Sequence, residues 1–121
     1  MLARTCLLTA IAAPLVALAQ AAPPTRITDG ALTDGTGMAL YVSDADGALK
    51  STCNGDCARE WPPLAADANA KPWADYTPFA RPDGTRQWAY KGRPLYRHAR
   101  DQAPGDRNGD GADNAWRLAL P

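Results

Sequence analysis

Three groups of side chains in this sequence have types and spacings that could do chemistry. Cys53 and Cys57 stand four apart, as C-x-x-x-C. Paired thiols can act as a redox dithiol or as soft metal ligands. This spacing, however, lacks the C-x-x-C of thioredoxin-like enzymes, and no C-x-x-C-H haem-attachment site is present. His98 is the one histidine. It could ligate haem or copper, with Met38, Tyr96 or a cysteine as company, or respond to pH. A metal site usually takes several ligands, so the competing expectation is an aromatic-like ring packed beside Tyr96. The third group is the loop Asp106-Arg107-Asn108-Gly109-Asp110-Gly111-Ala112-Asp113. It offers oxygen donors from Asp106, Asn108, Asp110 and Asp113, with a glycine after the third, as calcium loops do. The position where such a loop needs a bidentate glutamate is Arg117, and Asn-Gly and Asp-Gly are also ordinary turn formers.

Catalysis finds less support. A serine or cysteine nucleophile wants a histidine and an orienting group. Only His98 is on offer, and neither G-x-S-x-G nor H-E-x-x-H occurs. Asp46 and Asp101 could form an acid–base carboxylate pair. Their recurrence in a repeat points instead to matched structural roles, each ending a strand and bonding loop amides. The chain is therefore expected to be non-enzymatic.

That repeat organises the elements that must position these residues. Gly37-Met38-Ala39-Leu40-Tyr41 matches Gly92-Arg93-Pro94-Leu95-Tyr96 at an offset of 55 residues. The same offset carries Asp46 to Asp101 and Trp61 to Trp116 without a gap. Two copies are too few for a solenoid, so two pseudo-symmetric halves, about 30–64 and 81–121, are expected to bury their apolar faces against each other. Locally the pattern is of strands and turns. Thr85–Tyr90, a Lys91-Gly92 turn and Pro94–His98 read as a hairpin. Arg81-Pro82-Asp83-Gly84 is a turn before it, with a short strand over Phe79–Arg81. Strand alternation places Tyr41 and Ser43 on one face and Leu40 and Val42 on the other. Likewise Tyr96 and His98 oppose Leu95 and Arg97. Asp56–Trp61 fits one helical turn with Asp56 as N-cap, ended by Pro62-Pro63. Residues 65–74 read as a surface connection with at most a short helix. Trp61 and Trp116 belong to the core, and Trp73 is the exposed tryptophan. The fold class expected is a small, mostly β domain of short antiparallel hairpins with short helical turns.

Compartment follows from the first residues. Met1-Leu2-Ala3-Arg4 is a short positive start, and Cys6 to Ala19 is apolar except for Thr9 and Pro14. That run of about 14 residues is short of the roughly 20 needed to span a bilayer. Ala17-Leu18-Ala19 and Ala19-Gln20-Ala21 offer signal-peptidase sites, so residues 1–21 read as a signal peptide cleaved near 19–22. The domain is then 22–121, periplasmic or secreted, without stable membrane insertion. Loss of Cys6 leaves an even pair, which in an oxidising compartment reads as a Cys53–Cys57 disulfide. The 13 basic and 13 acidic residues are interspersed, which argues against a nucleic-acid partner.

The segment Cys53-Asn54-Gly55-Asp56-Cys57-Ala58-Arg59-Glu60-Trp61-Pro62-Pro63-Leu64 resembles the C-x-G-x-C-A-x-x-W-P-P-L signature of the bacterial "secreted repeat of unknown function" family. Members of that family are also described as predicted lipoproteins with a Y-x-(F/W/Y)-x-x-D motif. Arg81-x-Asp83-Gly84, Gln87, Tyr90-x-Gly92-x-Pro94-Leu95-Tyr96 and Pro104-Gly105-Asp106 are similar to the rest of its pattern. The resemblance covers roughly residues 30–121 and implies an exported domain with no assigned activity. The aromatic third position of the motif is Ser43 in one copy and His98 in the other. No cysteine follows the apolar run as a lipid attachment site.

The expected function is an exported binding or structural domain of unknown envelope or extracellular ligand and no required cofactor. The alternatives are a periplasmic redox or metal- or haem-handling protein using His98 with a cysteine or methionine, and a structural domain ordered by calcium.

Overall fold

The structure is a computed structural model that describes residues 3, 5, 7–13 and 22–121. Cys6 and the expected cleavage sites at 17–21 lie outside the described residues. No helix among the described residues is long and apolar enough to cross a membrane.

The domain is built from short antiparallel strands, as the repeat and its turns require. Strands β1 (Arg26–Thr28) and β2 (Ala31–Thr33) form a hairpin, with Ile27 opposite Leu32. Asp29 and Gly30 join them with φ of 48° and 79°, the two positive values of a turn whose twist matches its strands. This hairpin is absent from the sequence expectation. All three residues of β1 are exposed, so the strand carries no burial alternation to read. Strand β3 (Tyr41–Ser43) pairs with the last strand, β7 (Trp116–Leu118), with Tyr41 opposite Leu118. Between them in the chain, β4 (Tyr76–Ala80), β5 (Arg86–Tyr90) and β6 (Arg93–Pro94) form a three-stranded sheet in that order.

Several boundaries differ from expectation, each for a local reason. β4 begins at Tyr76 rather than Phe79 and ends before Arg81, whose side chain turns into the interior. The return strand after Lys91-Gly92 is regular only over Arg93–Pro94. Tyr96 then leaves the sheet to bridge Tyr41 and Pro63. Helix α1 (Asp56–Glu60) starts one residue earlier than a capping Asp56 allows. Its N-cap is Gly55, and Asp56, inside the first turn, pairs with Arg59. Residues 67–70 make a turn, not a helix. A 3-10 turn at Ala112–Asn114 precedes β7.

The two halves share one hydrogen-bond plan, and its partners cross between them. Ala119 N donates to Leu40 O at 2.9 Å, and 55 residues earlier Leu64 N donates to Leu95 O at 2.9 Å. Asp44 N donates to Ala115 O at 2.8 Å, and Ala99 N to Glu60 O at 2.9 Å. Tyr41 and Tyr96 exchange both backbone bonds, at 2.8 and 3.0 Å, so the pseudo-twofold passes between them. The last segment of each half thus lies on the strands of the other. Strand alternation divides the core as expected. Leu32, Leu40, Val42, Tyr76, Leu95 and Ala119 pack on one side. Ala39, Tyr41, Cys53, Trp61, Tyr96 and Trp116 pack on the other.

Candidate functional site

The repeat-matched residues converge at the pseudo-twofold. Tyr41 Oη donates to Asp101 Oδ2 at 2.6 Å, and Tyr96 Oη donates to Asp46 Oδ2 at 2.5 Å. Each tyrosine therefore reaches the aspartate of the opposite half, not that of its own motif. The remaining carboxylate oxygens tie down loops. Asp46 Oδ1 accepts from the amide and hydroxyl of Thr52, and Asp101 Oδ1 accepts from the amide and side chain of Asn108. Both phenols are fully buried. Burial, and then the hydrogen bond to Asp101, holds Tyr41 well above the ordinary phenol range. Burial, and then the bond to Asp46, pushes Tyr96 up to about 12. The four groups are held as phenol donors and carboxylate acceptors, with both phenols and Asp101 buried and Asp46 half-buried at the edge of a smaller cleft.

Around them the aromatic rings form a stack. Trp61 and Trp116 lie parallel, with centroids 3.8 Å apart and an interplanar angle of 3°. Tyr41 meets Trp61 edge-on at 5.4 Å, and Tyr96 meets Trp116 edge-on at 5.0 Å. His98 covers Trp61 at 4.2 Å and stands edge-on to Tyr41. Its ring thus lies against the first half rather than beside Tyr96, because the Tyr96 backbone is pinned across the twofold to Tyr41. His98 is buried, and its Nδ1 has no hydrogen-bond partner among the described residues. The Cys53–Cys57 disulfide closes the edge of this cluster.

Two polar side chains to which the sequence pattern alone assigns no role, Arg81 and Gln87, prove central. Arg81 is buried and donates to Ser51 Oγ at 2.9 Å, Gln87 Oε1 at 2.7 Å, Cys53 O at 2.6 Å and Asn54 Oδ1 at 3.2 Å. Gln87, wholly buried, returns a bond from Nε2 to Leu95 O at 2.7 Å. Ser51 Oγ also contacts Tyr96 Oη at 2.6 Å. The disulfide loop is therefore fastened to the second half through Arg81. The sequence signal was a charged and an amide residue flanking the turn of one hairpin, Arg81 just after β4 and Gln87 near the start of β5.

The acidic loop turns its oxygens to separate tasks. Asp106 Oδ2 accepts from the amides of Gln102 and Ala103, and Asp110 Oδ1 accepts from Leu118 N. Asn108 serves Asp101, and Asp113 sits in the 3-10 turn with φ of 53°. Among the described residues no group of three or more His, Cys, Asp or Glu side chains is placed to hold a metal ion. Gly109 has a packing reason for being glycine. A Cβ there would lie 2.6 Å from the Trp61 ring and 3.1 Å from that of Tyr41, and its amide donates to Tyr41 Oη at 3.3 Å. The loop is the cover of the aromatic stack.

One open cleft of about 580 Å³ borders this interior. Arg93, Asp110, Asn114, Trp116, Arg117 and Leu120 contribute to its lining. Asp44 orients the guanidinium groups: Arg117 grips it with contacts of 2.7 to 3.2 Å, and Arg93 lies 3.5 Å away. Arg117 in turn holds the Asp44 carboxyl below the usual carboxylate range. Leu120 is 62 % exposed. Trp116 thus joins the buried stack to a surface that mixes polar and apolar groups. Trp73, the expected exposed tryptophan, is 38 % exposed and lies away from the cleft lining.

Comparison with known proteins gives one match. A family described as a secreted repeat of unknown function is matched twice, over residues 26–65 and 77–119. No curated protein and no solved structure matches.

Proposed function

The chain belongs to the family of secreted repeats of unknown function, and on that premise we propose that it is an exported, non-enzymatic binding domain. It works in the periplasm or outside the cell, and its contact surface is the cleft bordered by Trp116. One observation carries this reading. The groups that could do acid–base work, Tyr41, Tyr96, Asp46 and Asp101, spend their hydrogen bonds on one another and on loop backbone. The cleft beside them offers the exposed Leu120 and the charges of Arg93, Asp110 and Arg117 to solvent, with an edge of the largely buried Trp116 in its wall. Such a mixture of apolar surface and a few fixed polar groups suits recognition of a small amphipathic ligand.

The test is an amide NMR titration of the exported protein with fractionated envelope extract. Shifts should cluster at Arg93, Asn114, the Trp116 indole and Leu120, and be lost in Leu120→Glu, whose exposed position spares the core. A fraction that is chemically turned over, or shifts confined to other surfaces, would reject the reading. Native mass spectrometry of protein purified without chelator separates the alternatives. An EDTA-sensitive copper or iron adduct favours metal handling through His98, whose buried Nδ1 lacks a partner among the described residues. A calcium adduct favours the loop of Asp106, Asn108, Asp110 and Asp113.

A further inference from the structure

The halves are joined to each other mainly by non-covalent contacts across the pseudo-twofold. Each half contributes its last segment to the other's strands, through Leu64 on Leu95 and Ala119 on Leu40. Each tyrosine finds its carboxylate across the twofold. The disulfide spans four residues within the first half, so it fixes a loop and leaves the two halves free of each other. Their one covalent link is the connection 67–75. It lies outside the core, exposed at every position but the half-buried Ala70. Among the described residues, the side chain outside it that clamps its turn is Arg86, which donates to the carbonyls of Asp67, Ala68 and Ala70 at 2.9, 3.0 and 3.0 Å.

We propose that a second copy of this chain is a partner for this interface, with the first half of one copy closing on the second half of the other. The exchanged dimer keeps every contact across the twofold and changes only the path of 67–75, which is the condition for low-cost swapping. Closure within one chain is favoured by an effective concentration in the millimolar range for a short linker. The monomer therefore prevails in dilute solution, and the exchanged form accumulates where chains are crowded. Once formed it persists, because leaving it means opening two interfaces.

Two full-length variants test the proposal. Leu40→Asp and Leu95→Asp each place a carboxylate at a fully buried position, one per half, and neither chain should close on itself. Mixed from denaturant in equal amounts, they can form one sound module from the first half of one and the second half of the other. The mixture should regain about half the wild-type near-ultraviolet tryptophan signal and run as a dimer. A mixture that stays the average of its components, where wild type refolds fully, overturns the proposal. Should either variant fold alone, the wild type decides. Refolding at about 1 mM should leave a dimer fraction that survives dilution, and a wholly monomeric product overturns the proposal.

Discussion

Tyr41 and Tyr96 each give a phenolic proton to a carboxylate that is itself bound to a loop amide, so one hydrogen bond orders two regions of the chain. Hydrogen bonds to charged groups contribute about 1.5–3 kcal/mol. Tyr41→Phe and Tyr96→Phe should each lose that much in urea denaturation, with Tyr41→Phe at the upper end because Asp101 is the more buried carboxylate. Burial of the phenols, together with these bonds, sets an alkaline limit. Tyr96 ionises at about 12 in the folded chain against 10.0 for a free phenol. Its contribution is whole below pH 10 and drains away as pH climbs toward 12. Stability measured across that interval should fall less steeply in Tyr96→Phe than in wild type. Gly109 gives a sharper residue-scale contrast. Gly109→Ala drives a methyl into the Trp61 ring, whereas Gly111→Ala meets open space and only the strain of its φ of 82°. Overpacking costs about 1–3 kcal/mol. Gly109→Ala should also change the near-ultraviolet circular dichroism of the tryptophan stack, and Gly111→Ala should leave it as it is.

Among the elements, the disulfide loop makes the smallest closed ring and carries an unexpected load. A ring this short restricts the unfolded chain by only about 2 kcal/mol in the loop-entropy picture. Yet Cys53 O and Ser51 Oγ receive Arg81, and Ser51 Oγ meets Tyr96 Oη. Cys53→Ala/Cys57→Ala should therefore cost more than the ring entropy, and Arg81→Met in that background should cost less than it does alone. A double-mutant cycle by chemical denaturation reads the coupling. What the sequence disclosed at this scale follows from periodicity. The 55-residue offset, the opposite facing of Leu40 and Tyr41, and the burial of Trp61 and Trp116 are local or repeating patterns, and all are present. The crossing of each tyrosine to the other half was hidden, because spacing within a motif is the same whichever aspartate is used. The β1–β2 hairpin was hidden by its exposed strand, although Asp29-Gly30 announced its turn. Arg81 and Gln87 gain their meaning only from groups distant in sequence. The acidic loop shows the converse. Its donors stand at calcium-like spacing, but the backbone directs Asp106 to its own turn and Asp110 to Leu118, and its glycine serves a tryptophan.

For the molecule as a whole, the crossing of segments decides how it unfolds. Each half pairs some strands within itself but completes its hydrogen bonding on the other: Leu40 O is bonded by Ala119 N and Leu95 O by Leu64 N. Both core clusters draw side chains from both halves. A state with one half folded and the other open would expose the apolar faces of both, so it gains little from the half it keeps. Unfolding should then be a single transition, as expected of a small domain with one shared core. A lesion in either half should lower the stability of both together. Val42→Ala removes buried side-chain volume from the first half, and Leu95→Ala from the second. Leucine-to-alanine truncations of this kind cost about 2–5 kcal/mol. Amide exchange at Leu32 and Leu40, in the first half, and at Trp88 and Leu95, in the second, should accelerate by one common factor in either variant. Protection lost only in the half that carries the substitution would show that the halves unfold separately, and the interlocked core would then have to be abandoned as the source of cooperativity.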